Sequence, residues 1–163
     1  MNLSPSDLAA WWGAVVATIV FGWDIYKWRS DGPHVALELS PNMIVIGDPA
    51  REGKKWVSVT ITNTGTRPTT LKGIGLEHYA NPTRRLRGKT EMAAVFPNPN
   101  DHHPLPRMLN PGEEWRGLIP QERPDKGLSL KEMANQGHLL IWASVSHKKK
   151  PIKTRLTFPN EKA

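Results

Sequence analysis

Apolar positions are distributed along this chain in two ways. From Leu8 to Trp23 they are continuous: Leu-Ala-Ala-Trp-Trp-Gly-Ala-Val-Val-Ala-Thr-Ile-Val-Phe-Gly-Trp contains no charge and a single hydroxyl, Thr18. Beyond residue 34 they alternate with polar residues in short runs punctuated by proline and glycine. The first pattern predicts a helix in lipid, because in hydrocarbon every backbone N–H and C=O must be paired within its own segment. At 1.5 Å per residue, Leu8–Tyr26 would span about 28 Å, close to a hydrocarbon core of about 30 Å. Asp24 falls at the edge of that span. There a carboxylate can reach the headgroups and escape the roughly 2.5–3.5 kcal/mol it would cost at the bilayer centre. Ser4-Pro5-Ser6-Asp7 reads as a cap and helix start.

Aromatic rings flank the run, Trp11 and Trp12 at one end and Trp23, Tyr26 and Trp28 at the other, as expected of rings settling at two interfaces. Residues 1–7 hold no Lys or Arg, which a signal peptide would need. A core helix would carry a polar stripe, and this run has none. Lys27 and Arg29 follow the helix at once, whereas Asp7 precedes it. Positive flanks stay cytoplasmic, so the N-terminus is expected outside an inner membrane and residues 30–163 inside. Ala10, Ala14, Thr18 and Gly22 recur at every fourth position. This strip of small residues predicts close contact with another membrane helix, from a second copy or another protein.

The second pattern predicts a β-rich domain. Residues 1–29 form the anchor and its flanks, 30–33 a linker, and 34–163 the domain. Within Trp56–Thr62, Val57, Val59 and Ile61 point one way and Ser58, Thr60 and Thr62 the other, the mark of a half-buried strand. Asn63–Pro68 is a turn, with Gly65 available for positive φ. Thr70–Tyr79 puts Ile74 and Leu76 on one face. His138–Ser146 places Leu139, Ile141, Ala143 and Val145 inward, and a strand through Ile152, Thr154, Leu156 and Phe158 answers it across a lysine turn. Weaker strands are expected at Val35–Leu39, Met43–Ile46, Glu91–Phe96 and Glu114–Ile119. One short helix is expected, Leu130–Asn135, with Ser129 and Glu132 forming a capping box. Ala80–Lys89 reads as a long loop and Pro97–Pro106 as a rigid surface crossing. Seven or eight antiparallel strands with one late helix predict a mainly β protein, an antiparallel β-sandwich on one transmembrane helix.

Val57-Ser-Val-Thr-Ile-Thr-Asn-Thr-Gly-Thr-Arg-Pro-Thr-Thr, followed by Leu109-Asn-Pro-Gly-Glu-Glu-Trp, resembles the immunoglobulin-like modules of bacterial membrane and surface proteins. The resemblance covers roughly residues 34–158. In such modules the first motif marks the second strand and its turn, and the other opens a later strand. The whole chain is also similar to small bacterial membrane proteins that carry such a sandwich on one N-terminal helix. The cysteine pair of antibody domains is missing, since the chain has no cysteine. The resemblance implies a fold and carries no activity with it.

Candidate chemistry is sparse. Asp101-His102-His103 lacks the spacing with which side chains converge on a metal. There is no cysteine nucleophile, no G-x-S-x-G elbow and no phosphate-binding glycine loop. Glu113, Glu114 and Glu122 read as solvated turn residues. Neither an enzymatic activity, nor a cofactor or metal, nor a small-molecule substrate is expected. Charge is more informative: 22 Lys and Arg against 15 Asp and Glu give a net +7. The candidate basic surface comprises Arg67, Arg84, Arg85, Arg87 and Lys89, and Lys148, Lys149 and Lys150, with Lys153 and Arg155 on the solvent face beside the triplet. The immunoglobulin-like plan implies that the N-terminus, the Arg67 turn and the lysine turn share one end, which would aim them at anionic lipid. Nucleic acid is not favoured, because Trp56, Trp115 and Trp142 all fall in predicted strands and leave no aromatic interleaving. The expected role is a membrane-tethered binding or accessory subunit engaging a partner protein. Two alternatives stay open: a sensor or defence component binding nucleic acid or a phage factor through Arg84–Lys89, and a periplasm-facing envelope module.

Overall fold

The computed structural model describes residues 4–122 and 129–159. The side chains of Asp7 and Arg29, on which the orientation argument draws, lie outside the described residues. The chain divides into two units, Met1–Gly32 and Pro33–Ala163, and the division falls inside the predicted linker.

The first unit is one helix, α1 (Pro5–Ser30), of 26 residues and about 39 Å. Pro5 occupies its first turn, where the missing N–H costs nothing. Leu8–Trp28 is long and apolar enough to cross a membrane. Its large apolar side chains are exposed, Trp11 by 72% and Trp28 by 74%, a state that water would penalise and lipid does not. The Thr18 hydroxyl donates to the Ala14 carbonyl at 2.8 Å, so the one polar group at mid-helix is satisfied without a partner.

The second unit is built of two antiparallel sheets. The first has the order β1 (Val35–Ile44), β2 (Lys55–Asn63), β6 (Glu114–Pro120). The second has the order β4 (Met92–Phe96), β3 (Thr69–Tyr79), β7 (His138–Val145), β8 (Ile152–Arg155), with β5 (Arg107–Leu109) pairing β3 beside β4. The two predicted segments Val35–Leu39 and Met43–Ile46 are one strand, bent by an irregularity between Ser40 and Met43, where Asn42 adopts φ 59°. Alternation decides the inner faces. Val57, Val59 and Ile61 of β2, Ile74 and Leu76 of β3, and Leu139, Ile141, Ala143 and Val145 of β7 are all buried. Both sheets feed one apolar cluster that also takes Trp115, Ile119 and Leu109. Burying each large side chain contributes about 1.5–3 kcal/mol. Leu140 is buried as well, although alternation turns it to the opposite face.

Among the described residues two helices punctuate the strands where one was expected. α3 (Leu130–Gln136) carries the predicted capping box: the Ser129 hydroxyl accepts from Glu132 N–H, and the Glu132 carboxylate accepts from Ser129 N–H. Its Leu130 and Met133 enter the core. The other, α2 (Pro82–Leu86), replaces part of the expected loop Ala80–Lys89. It has no buried residue and no apolar stripe, so periodicity could not announce it.

Candidate membrane-facing surface

One end of the sheet domain is assembled from the segment where the chain comes in and from three turns. We call this the proximal end. The His34 carbonyl accepts from Thr64 N–H at 2.8 Å and Gly65 N–H at 3.2 Å, joining the incoming chain to the β2–β3 turn. Asn63, fully buried at the end of β2, holds that turn together. Its amide donates to the carbonyls of Arg67 and Leu109 at 2.9 and 3.0 Å, and its side-chain oxygen accepts from Gly65 N–H at 3.1 Å. Its backbone bonds Glu113 and Gly112, which adds the β5–β6 turn. There Gly112 supplies the left-handed φ of 77° that a side chain would resist.

The β7–β8 turn completes the end. Ser146 and Thr70 exchange bonds through Ser146 N–H to Thr70 carbonyl (2.9 Å) and Thr70 N–H to Ser146 Oγ (3.0 Å). The buried Thr69 hydroxyl lies 2.8 Å from His147 Nδ1 and 3.2 Å from Ser146 Oγ. This fixes the segment that carries Lys148, Lys149 and Lys150 against the start of β3, directly after Arg67. All four cations are exposed. Burial, the Lys148 charge and His34 hold His147 below its ordinary pKa of 6.5, so it is neutral at pH 7. The nearest acid of the β5–β6 turn is already engaged. Glu113 accepts from Asn110 N–H and from Arg107 at 3.0 Å each, and these bonds hold its carboxyl below the usual range. It ties the β5–β6 turn to itself while staying open to solvent.

The other half of the predicted basic surface is elsewhere. β3 leaves the proximal end at Thr69 and reaches the opposite, distal end at Tyr79, about 30 Å away, before α2 begins. Arg84, Arg85, Arg87 and Lys89 therefore do not join Arg67 and the lysine triplet. Arg84 is paired with Glu91 at 2.6 Å, while Arg85, Arg87 and Lys89 are exposed. Lys153 is likewise withdrawn from the free basic surface. Its ammonium donates to Glu77 Oε2 at 2.6 Å, and Tyr79 OH donates to the same atom at 2.5 Å. Burial opposes the Glu77 charge, but these two bonds outweigh it and leave its pKa lowered.

On α1 the small residues Ala10, Ala14, Thr18 and Gly22 share one face, and a shallow concavity there is lined by Trp11, Ala14, Val15, Thr18 and Ile19. The Trp23 and Tyr26 rings are 5.9 Å apart near its C-terminal end, and Trp12 and Lys27 are exposed.

A cleft of about 310 Å³ on the domain is lined by Arg51, Ser58, Pro99, Asn100, His102, Arg116, Gly117 and Leu118. Its polar groups bind one another: Arg51 pairs with Asp48 and Asp101, Arg116 with Glu114, and Asn100 Nδ2 donates to the Arg116 carbonyl. His103 accepts at Nδ1 from Arg107 (2.7 Å), and its carbonyl accepts from the Trp115 indole. Among the described residues, no three His, Cys, Asp or Glu side chains are grouped to hold a metal ion. Neither a protein-family model nor a curated protein matches the chain.

Proposed function

We propose that this chain is a single-pass inner-membrane protein holding an immunoglobulin-like β-sandwich at the cytoplasmic face, where it serves as a non-enzymatic binding or accessory subunit for a partner protein. The strand order supports the sandwich. Read as A, B, E in one sheet and C′, C, F, G in the other, β1-β2-β6 and β4-β3-β7-β8 follow the immunoglobulin-like arrangement, with both sheets feeding one core. β5 and α3 are additions to that plan.

The observation that carries the reading is the pairing of an apolar 26-residue helix with a compact domain whose polar clusters are spent on its own turns and edges. Such a domain offers surfaces rather than a reaction centre. Lys27 and Arg29 after the helix support the cytoplasmic orientation. The small-residue face of α1 supports a helix partner in the bilayer.

The absence of native cysteine makes a clean test. Glu38→Cys in the full chain, on an exposed β1 position, is treated in spheroplasts with a membrane-impermeant maleimide. Labelling only after lysis is expected; labelling of intact spheroplasts would place the domain in the periplasm and overturn the orientation. Mild-detergent purification from native membranes should then recover a stoichiometric partner, and recovery of the chain alone would overturn the accessory role.

A further inference from the structure

We propose that the proximal end of the sheet domain is a docking surface for the phosphate headgroups of anionic lipid, formed by Arg67 and Lys148–Lys150. This rests on the reading of α1 as a membrane anchor. Three observations carry it. The four exposed cations come from two separate turns that only folding brings together. The turns are fixed by the Asn63 and Thr69 hydrogen bonds, so the cations sit on a firm base. Finally, the chain comes into the domain at this same end, through His34.

Covalent geometry turns the last point into proximity. Ser30, the end of α1, is four residues from His34. At no more than about 3.6 Å per residue, His34 can lie no further than about 14 Å from the end of the helix. Lysine side chains extend several ångströms further, and the field of an anionic leaflet decays over about 8–10 Å. A tether this short lets the cations of this end come within reach of that field. Each one near the surface multiplies the docked population about fivefold. Like charge does not defeat the arrangement. His147, amid the cations, is neutral at pH 7, and Glu113 beside them is neutralised by Arg107. The distal cations Arg85, Arg87 and Lys89 follow the far end of β3, about 30 Å from Thr69, and are not held near the helix by this tether.

The experiment uses the full chain in nanodiscs of phosphatidylcholine, with or without phosphatidylglycerol, and reads the rate of acetylation of each lysine by mass spectrometry. Lys148, Lys149 and Lys150 are expected to react at least about threefold more slowly on the anionic discs, with the protection lost at high salt, while Lys89 keeps one rate. In Lys149→Glu/Lys150→Glu, Lys148 should lose that protection, whereas Arg85→Glu/Arg87→Glu should keep it. All these side chains are exposed, so both variants should fold, as circular dichroism checks. Equal rates on both kinds of disc would overturn the docking alone. Protection on neutral discs by added RNA, with none from anionic lipid, would reassign the surface to nucleic acid. A chain that fails to enter the discs would overturn the anchor and the docking together.

Discussion

The two ends of the sheet domain invite comparison, because each displays four of the cations that mark this chain as basic. At the proximal end Arg67 and Lys148–Lys150 stand on turns knitted together by Asn63, Glu113, Thr69 and Ser146. At the distal end Arg84, Arg85, Arg87 and Lys89 surround the five-residue helix α2, which buries nothing, and Arg84 is neutralised by Glu91. Net charge treats the two sets alike. What separates them is the base beneath each cation and its distance from the point where the domain is tied to α1. A basic patch gains a meaning from its neighbours, and at the proximal end one of them is His34, the residue through which the chain leads in from α1.

Removing the base should produce the largest effect. Asn63→Ala deletes two donated bonds and one accepted bond at a fully buried position, taking the amide from the Arg67 and Leu109 carbonyls and leaving Gly65 N–H with the His34 carbonyl alone. We expect a loss of about 3 kcal/mol, since each buried polar group left unpaired costs about 1–3 kcal/mol. The urea midpoint of the detergent-solubilised chain, read by far-ultraviolet circular dichroism, measures it. A midpoint unchanged from the parent would mean that the proximal turns hold themselves together without Asn63.

A smaller change probes the distal side of the comparison. Ser129→Ala removes the hydroxyl half of the α3 capping box and should cost about 1 kcal/mol. Hydrogen exchange should then speed up in Leu130–Gln136 and leave the Asn63 turn unaffected. Faster exchange at both ends would show that the two are coupled, and would weaken the contrast between them.

Much of the domain was legible because its strands obey a strict period. Val57-Val59-Ile61 and Leu139-Ile141-Ala143-Val145 declare an inner face, and Ser129 with Glu132 declares a helix start. The elements that escaped are those too short to show a period: β5, three residues held by pairing with Thr69–Leu71, and α2, whose five residues have no apolar face. The candidate surface was only half legible. Spacing along the chain says which residues are cationic, but whether each is free depends on partners far away in sequence. Lys153 meets Glu77 across 76 positions, and Arg84 meets Glu91 across a turn. Asn63 was read only as part of a turn motif. Its role became visible when Leu109, 46 residues on, arrived to accept its second bond.

The smallest effect is the one that separates the two ends most cleanly, because it has opposite signs in two measurements. Burial, Lys148 and His34 lower the His147 pKa in the folded chain, while in the unfolded chain it titrates near 6.5. Above that value both forms are neutral and the fold keeps its full stability. As pH falls below about 6.5 the unfolded chain takes up the proton first, so stability declines until the folded form is protonated too. The loss is modest, since His147 is only part-buried and water screens its charge. The urea midpoint should therefore drop between about pH 7.5 and about pH 5, and drop less in His147→Gln, which isolates this group from the other histidines. The same proton adds a charge beside Lys148–Lys150. On anionic nanodiscs acid should thus strengthen the lysine protection that marks docking, even as it weakens the fold. A titrating group at the distal end would alter the stability and leave the protection where it was.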